Sequence, residues 1–534
     1  MSPTCVIIGR VVEGLTDTRV ADVEVALSGM SEPYFGLNAM TDTEGNFVFF
    51  NVPAGTYGLR ATKHGYWFGE YGQRRGSGAP RRLLLAEGQR VAGVTVPLWK
   101  FSAISGTVRD DVGEPVVGVA MQAMVLAQRA GRLLAFNTSS TIGRTDDRGV
   151  YRIANLLAGE YLLALPTLEM SSLLPEGLTA AEAAVSLAAA EERRALDTSL
   201  ASSRVYRVSG RLIGGGTGGI KVDLVRPDER YVTDVVVQQM NTRADGSFGF
   251  TGVPSGSYAV RVIASSRAAG GGEAFAAAGA PPSRVVPSAD TNGRWAMVPF
   301  VVADGNVDDV AVVLRAGARI NGRLVFEGGS APAATELGRM FGVISRADGR
   351  ITAQLTSERM APDAEGRFGS GALPSGRYFV RFPGQFIPPG WALSGVTLLG
   401  RDVLDEPLKL DGEDVENLVV TLTDKISELR GSVQTSSDDP DLDASVLVFP
   451  ADRRLWLDFG ADSPRVRSTR VNDAGTYSLK GLPPGAYLVV AIDDAIAVNW
   501  QTQAMFERLA PVANRLTVAV GAIQTVNLQT KVIR

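Results

Sequence analysis

Apolar residues alternate with polar ones along most of this chain, and the alternation recurs as five copies of one cassette, Gly-x9-Gly-x-Tyr. The copies are Gly45/Gly55/Tyr57, Gly149/Gly159/Tyr161, Gly246/Gly256/Tyr258, Gly366/Gly376/Tyr378 and Gly475/Gly485/Tyr487. Two positions past each first glycine stands an aromatic residue: Phe47, Tyr151, Phe248, Phe368 and Tyr477. Seven positions past it stands an aliphatic one: Val52, Leu156, Val253, Leu373 and Leu482. Another follows two positions after the tyrosine: Leu59, Leu163, Val260, Val380 and Val489. Period two is the mark of a half-buried strand. Each cassette therefore predicts a hairpin turn, a strand, a tight Pro-x-Gly turn and a second strand, with glycine supplying the positive φ that other residues resist. The polar residues before the first glycine, as in Thr41-Asp42-Thr43-Glu44, can bond their own turn backbone and need no ligand.

About 40 residues upstream of each cassette lies a second marker, an apolar strand with one central glycine: Gly9, Gly106, Gly210, Gly322 and Gly431. Alternating runs such as Val94-Thr95-Val96-Pro97-Leu98 and Leu418-Val419-Val420-Thr421-Leu422 close the repeats. Successive first glycines are 104, 97, 120 and 109 residues apart, too long for solenoid units of about 20–50 residues and suited to whole domains. The expectation is an all-β chain of five tandem antiparallel β-sandwiches of about seven strands each, spanning 1–100, 101–204, 205–316, 317–425 and 426–534. The short link from Leu98 to Ile104 predicts little freedom between the first two.

Two segments break the pattern. Residues near 173–197 are rich in Ala, Leu, Glu and Arg, which predicts a helical insertion, capped by Thr179 with Glu182, that displaces the closing strand of the second repeat. Residues 268–280 are a Gly/Ala low-complexity loop in the third repeat.

The segment Gly9 to Tyr57 and its four copies resemble the carboxypeptidase regulatory-like domain, a transthyretin-like β-sandwich found in tandem in bacterial envelope proteins. The resemblance covers nearly the whole chain and implies fold far more than activity. It implies an extracellular or cell-envelope location and a protein or polysaccharide partner. Related adhesin sandwiches carry a Lys-Asn isopeptide bond that needs a lysine on the first strand. Here Arg10, Thr107, Arg211, Arg323 and Ser432 follow the strand glycine, so that cross-link is not expected.

Composition narrows the functional classes. The 534 residues are 45% hydrophobic with a net charge of −4, which lacks the clustered cationic footprint of nucleic-acid binding. No run of about 18 apolar residues predicts a membrane span. The one cysteine, Cys5, excludes an internal disulfide and reads as a small buried hydrophobe. Met1-Ser2-Pro3-Thr4 is no export signal, so the chain reads as cytoplasmic or as starting after a signal or an upstream domain.

One histidine, His64, cannot supply the His-x-x-Glu and distant His of a zinc carboxypeptidase, and a Ser-His-Asp triad would have to assemble around a loop. No phosphate-binding glycine loop is present, and no cofactor is expected. The run Asp438-Asp439-Pro440-Asp441-Leu442-Asp443 offers four carboxylates to calcium but lacks the glycine and closing glutamate of a calcium loop; a solvated hairpin is the simpler reading. The segment from His64 to Tyr71 concentrates aromatics, and Tyr66, Trp67 and Tyr71 could form a sugar-stacking platform, although six tryptophans over five domains are readily absorbed as core or junction plugs. The reading is thus a non-catalytic, elongated, monomeric array serving as spacer or adhesion module. A carbohydrate-binding array and a regulatory segment of a larger hydrolase are the alternatives.

Overall fold

The computed structural model of the chain describes residues 4–29, 35–136, 142–164, 185–200, 204–214, 219–228, 230–264, 293–329, 331–351 and 360–533. Strands dominate, and five separate hydrophobic clusters form, each drawn from a single repeat. Each repeat has two sheets facing one core. In the first repeat one sheet orders Asn46–Val52, Cys5–Glu13, Arg90–Lys100 and Tyr66–Trp67. The other orders Gly36–Met40, Glu24–Gly29, Gly55–Thr62 and Gly69–Glu70, with Leu83–Leu85 also paired to Gly55–Thr62.

Every periodic position of the cassette is a core position. The aromatic, aliphatic and tyrosine residues named above are buried in all five copies. The two cassette strands, however, do not pair with each other. Asn46–Val52 pairs with the opening strand, whereas Gly55–Thr62 joins the opposite sheet, and the same crossing occurs in the other four repeats. The Pro-x-Gly turn is thus a sheet-to-sheet crossover, and the tyrosine beyond it braces the corner. Tyr57, Tyr161, Tyr378 and Tyr487 each donate their hydroxyl to the carbonyl four residues back, on Pro53, Leu157, Pro374 and Pro483, at 2.6–3.0 Å. This bond explains why Gly-x-Tyr recurs as a unit.

The opening glycine has an equally local cause. In all five repeats it stands opposite the cassette aromatic: Gly9 to Phe47, Gly106 to Tyr151, Gly210 to Phe248, Gly322 to Phe368 and Gly431 to Tyr477. A Cβ on Gly9 would lie 2.3 Å from Phe47 Cζ and 2.6 Å from the Val94 carbonyl oxygen. Only a bare backbone leaves room for the ring.

Within these antiparallel sandwiches the opening strand also takes part in a parallel pairing. Each opening strand pairs antiparallel with the first cassette strand and parallel with the closing strand, as Gly9–Glu13 does with Val94–Leu98. The closing segment runs back along the sandwich before it re-enters the sheet beside the opening strand, and a connection of that length permits parallel pairing. In repeats two and five the closing strand breaks in two, at Leu196 and Val526. These are the two repeats whose cassette aromatic is tyrosine. The Tyr151 and Tyr477 hydroxyls donate to the carbonyls of Leu196 and Val526, both at 2.7 Å, so a side chain supplies the bond the ladder lacks. Burial pushes both hydroxyls well above the ordinary tyrosine value, so they stay protonated donors.

The helix expected near 173–197 is corrected in its described part. Residues 173–184 lie outside the described residues, while Val185–Leu187, Glu192–Arg193 and Thr198–Leu200 are short strands. Val185 and Leu187 pack into the core cluster of the second repeat, and the later two supply the closing strand the helix was expected to displace. Tertiary pairing here overrides helix propensity, which is a weak local preference. The Gly/Ala loop at 268–280 also lies outside the described residues.

The chain divides into two compact units: residues 1–201, 426–457 and 463–534, and residues 202–425 with 458–462. Within the first unit the expected single file is not kept, because the fifth repeat packs directly on the first and second. Between the first two repeats only Phe101 separates strand Arg90–Lys100 from strand Ser102–Asp110.

Candidate functional site

The turn carboxylates are engaged by their own backbone. Asp42 Oδ1 accepts from the amides of Glu44 and Asn46, and Asp146 and Asp363 do the same in their repeats. Asn472 fills this role in the fifth. The following glycine has φ of 78°, 73°, 80°, 78° and 69° in repeats one to five, the left-handed conformation that closes such a turn. The backbone bond from Asn46 holds Asp42 below the usual carboxylate range, and that from Val150 does so for Asp146.

The aromatic segment is distributed over several contacts. Tyr66 and Trp67 form a two-residue strand against Trp99 and Lys100, so their side chains leave opposite faces. Tyr66 packs against the first core, with Lys100 Nζ 6.0 Å from its ring. Trp67 stacks on Phe68 at 4.8 Å and meets Phe101 edge-on at 6.4 Å, while the Arg60 guanidinium lies 3.7 Å over Phe68. Tyr71 also packs against the first core, and its hydroxyl reaches Asp473 Oδ1 of the fifth repeat at 3.3 Å. Trp99, Trp456 and Trp500 are buried, and Trp67, Trp295 and Trp391 are half-buried. His64 is exposed on a two-residue turn. Cys5 is buried, its thiol directed at the Ala86 carbonyl at 3.0 Å.

The acidic run is likewise committed to protein contacts. Asp439 accepts from Ser437 Oγ at 3.3 Å. Asp441 accepts from the Asp443 amide at 3.0 Å and from Thr530 Oγ1 at 2.5 Å. Asp438 occupies a turn with φ 64°, and Asp443 faces Arg74 of the first repeat at 3.4 Å. Among the described residues no group of three or more His, Cys, Asp or Glu is placed to hold a metal ion.

The two segments that stand out in the sequence thus converge on one junction. From the first repeat, the loop around Arg74, Arg75 and Arg81 reaches the fifth. Arg81 pairs with Asp473, and its other nitrogen approaches the Leu442 carbonyl at 3.5 Å. Arg75 donates to the carbonyls of Asp494 at 3.1 Å and Ala497 at 3.3 Å. The Asp494 side chain is buried, accepts from Ser445 Oγ at 2.7 Å, and lies 2.8 Å from Arg470 Nη1 and 3.9 Å from Arg75 Nε. The Arg470 contact is a charge approach without hydrogen-bond alignment. Burial pulls the Arg75 guanidinium below its ordinary value, and Asp494 partly restores it. These arginines were not singled out in the sequence; two Arg-Arg pairs within nine residues, at 74–75 and 81–82, are the available signal, but their acidic partners lie some 370–420 positions away.

The second repeat meets the fifth differently, through the hairpin tip Ala130-Gly131. The Gly131 carbonyl accepts from the Gln503 amide at 3.0 Å, and Gln128 Oε1 accepts from the Gln501 amide at 2.6 Å. Beside this contact Phe449, Trp456, Trp500 and Phe506 form one aromatic cluster, with Phe449 and Phe506 stacked at 4.9 Å. In the other unit, Arg350 of the fourth repeat reaches Asp234 of the third at 2.5 Å, and Asp234 also faces the buried Arg261–Asp223 pair.

No helix among the described residues is long and apolar enough to cross a membrane. No protein-family model matches the chain, and no curated protein matches its sequence. Among solved structures, the chain is similar to a streptococcal ancillary pilin at 12% identity and a TM-score of 0.20, covering 58% of this chain and 98% of that one. It is similar to the minor pilin GBS52 of Streptococcus agalactiae at 15% identity and a TM-score of 0.23, over 38% of this chain and 97% of the other. It is also similar to the Bacillus anthracis TIE protein at 10% identity and a TM-score of 0.16, over 96% and 69%.

Proposed function

We propose that the chain is a non-catalytic array of β-sandwich domains, bounded at about 1–100, 101–204, 205–316, 317–425 and 426–534, that serves as a spacer or adhesion module at the cell envelope. One observation carries this reading: the residues copied from repeat to repeat have structural partners inside their own repeat. The turn carboxylates bond their own amides, the corner tyrosines bond a carbonyl four residues back, and the strand glycines make room for a ring. What is repeated five times is a scaffold, and binding belongs to the loops that differ between repeats. A second reading, carbohydrate binding, rests on the half-buried Trp67–Phe68 stack, whose remaining open surface could face a sugar ring.

The test is an array of glycans, cell-wall polysaccharides and envelope proteins probed with the full chain and with Trp67→Ala, alongside peptide and polysaccharide hydrolysis assays. The scaffold reading expects partner binding that survives Trp67→Ala and no turnover above heat-denatured protein. Glycan binding lost in Trp67→Ala supports the second reading. Turnover that disappears on heating overturns the non-catalytic assignment.

A further inference from the structure

Between the first and fifth repeats the described contacts are ionic and polar. Arg74, Arg75 and Arg81 with Tyr71 stand on one side; Asp443, Asp473 and Asp494 with the carbonyls of Leu442 and Ala497 stand on the other. Each hydrophobic cluster stays within its own repeat, so the fold of neither repeat requires the other. The carboxylates of the outer pairs and Arg74 remain open to solvent: the Arg74 and Asp443 side chains are 44% and 45% exposed, and Asp473 is 39% exposed. Charge pairs in such positions are screened by salt. The Arg75 and Arg81 side chains are less exposed, at 24% and 11%, and Arg75 enters beside a carboxylate that already has Arg470 and Ser445 as partners. Asp494 therefore keeps a cation and a hydroxyl when Arg75 leaves, and withdrawal strands no bare buried carboxylate.

We propose that this junction is a reversible ionic latch that ties the first repeat of the chain to the last, closed at low ionic strength and open at high. The latch joins residues some 400 positions apart, so its state decides whether the first repeat is held against the last. This goes beyond the spacer reading, which needs five folded repeats but no contact between the first and the last.

Distances between spin labels at Glu87→Cys and Lys480→Cys, both exposed sites, measure the state directly, and the buried Cys5 is spared from labelling. The full chain at ~20 mM salt is expected to give one narrow distance, which broadens and lengthens toward ~1 M salt as the Debye length shrinks. Arg75→Met with Arg81→Asp removes the narrow distance at low salt. Arg81→Asp alone weakens it, and adding Asp473→Arg restores it, which a merely unfolded repeat would not allow. A narrow distance that persists at ~1 M salt or in the Arg75→Met/Arg81→Asp variant overturns the latch, as does a broad distribution in the unaltered chain at low salt.

Discussion

Single residues of the cassette carry most of what the sequence discloses, because their causes are local. Glycine facing a ring, a corner tyrosine and an Asp-x-x-Gly turn are each settled within about 50 residues of chain. Gly210 illustrates the cost of change: a Cβ there would sit 2.3 Å from the Val310 carbonyl oxygen and 2.5 Å from Phe248 Cζ. Gly210→Ala is expected to destabilise the third repeat by about 1–3 kcal/mol, as overpacking does, measurable as a lower denaturant midpoint for that repeat's transition. The turn carboxylates give a pH dependence. Asp42 and Asp146 are held below their unfolded values, so their contribution is complete above about pH 4 and is lost as pH falls through the folded value. Asn472 makes the same turn bonds without titrating. On acidification, hydrogen exchange should rise in the turns of repeats one and two before it does in repeat five; simultaneous loss in all three would contradict this account.

Among elements, the strands were legible and their partners were not. Period two identified the cassette strands, yet nothing in the alternation distinguishes a hairpin from a crossover between sheets, because both bury every second residue. Parallel pairing of opening and closing strands was hidden for the same reason. The strands at 185–200 were masked by helix-favouring alanines, whose preference yields to the edges left open in the second repeat. Docking of hairpins between repeats is a further step removed. Gly131 has φ 83°, and a Cβ there would lie 2.1 Å from the Trp456 carbonyl oxygen. Gly131→Ala should therefore loosen the contact of the second repeat with the fifth while leaving both cores folded. Faster exchange at the Gln501 and Gln503 amides would report it, and unchanged protection there would show that the tip does not hold the junction.

At the level of the whole molecule, the sequence marked the right segments and assigned them singly. The aromatic stretch and the acidic run stood out because their composition departs from the repeat, and each suggested a ligand. The structure sets Tyr71 and Asp443 on opposite sides of one junction. A contact between residues 402 apart leaves no trace in local pattern, since only folding brings opposite charges together. The central claim is that each repeat is a self-sufficient unit with its own core, and single-molecule extension of the full chain by its termini tests it most directly. With units of about 100 residues, the account predicts five separate unfolding events, each releasing roughly 30 nm of chain. Fewer events, or one event releasing the length of several repeats together, would contradict it.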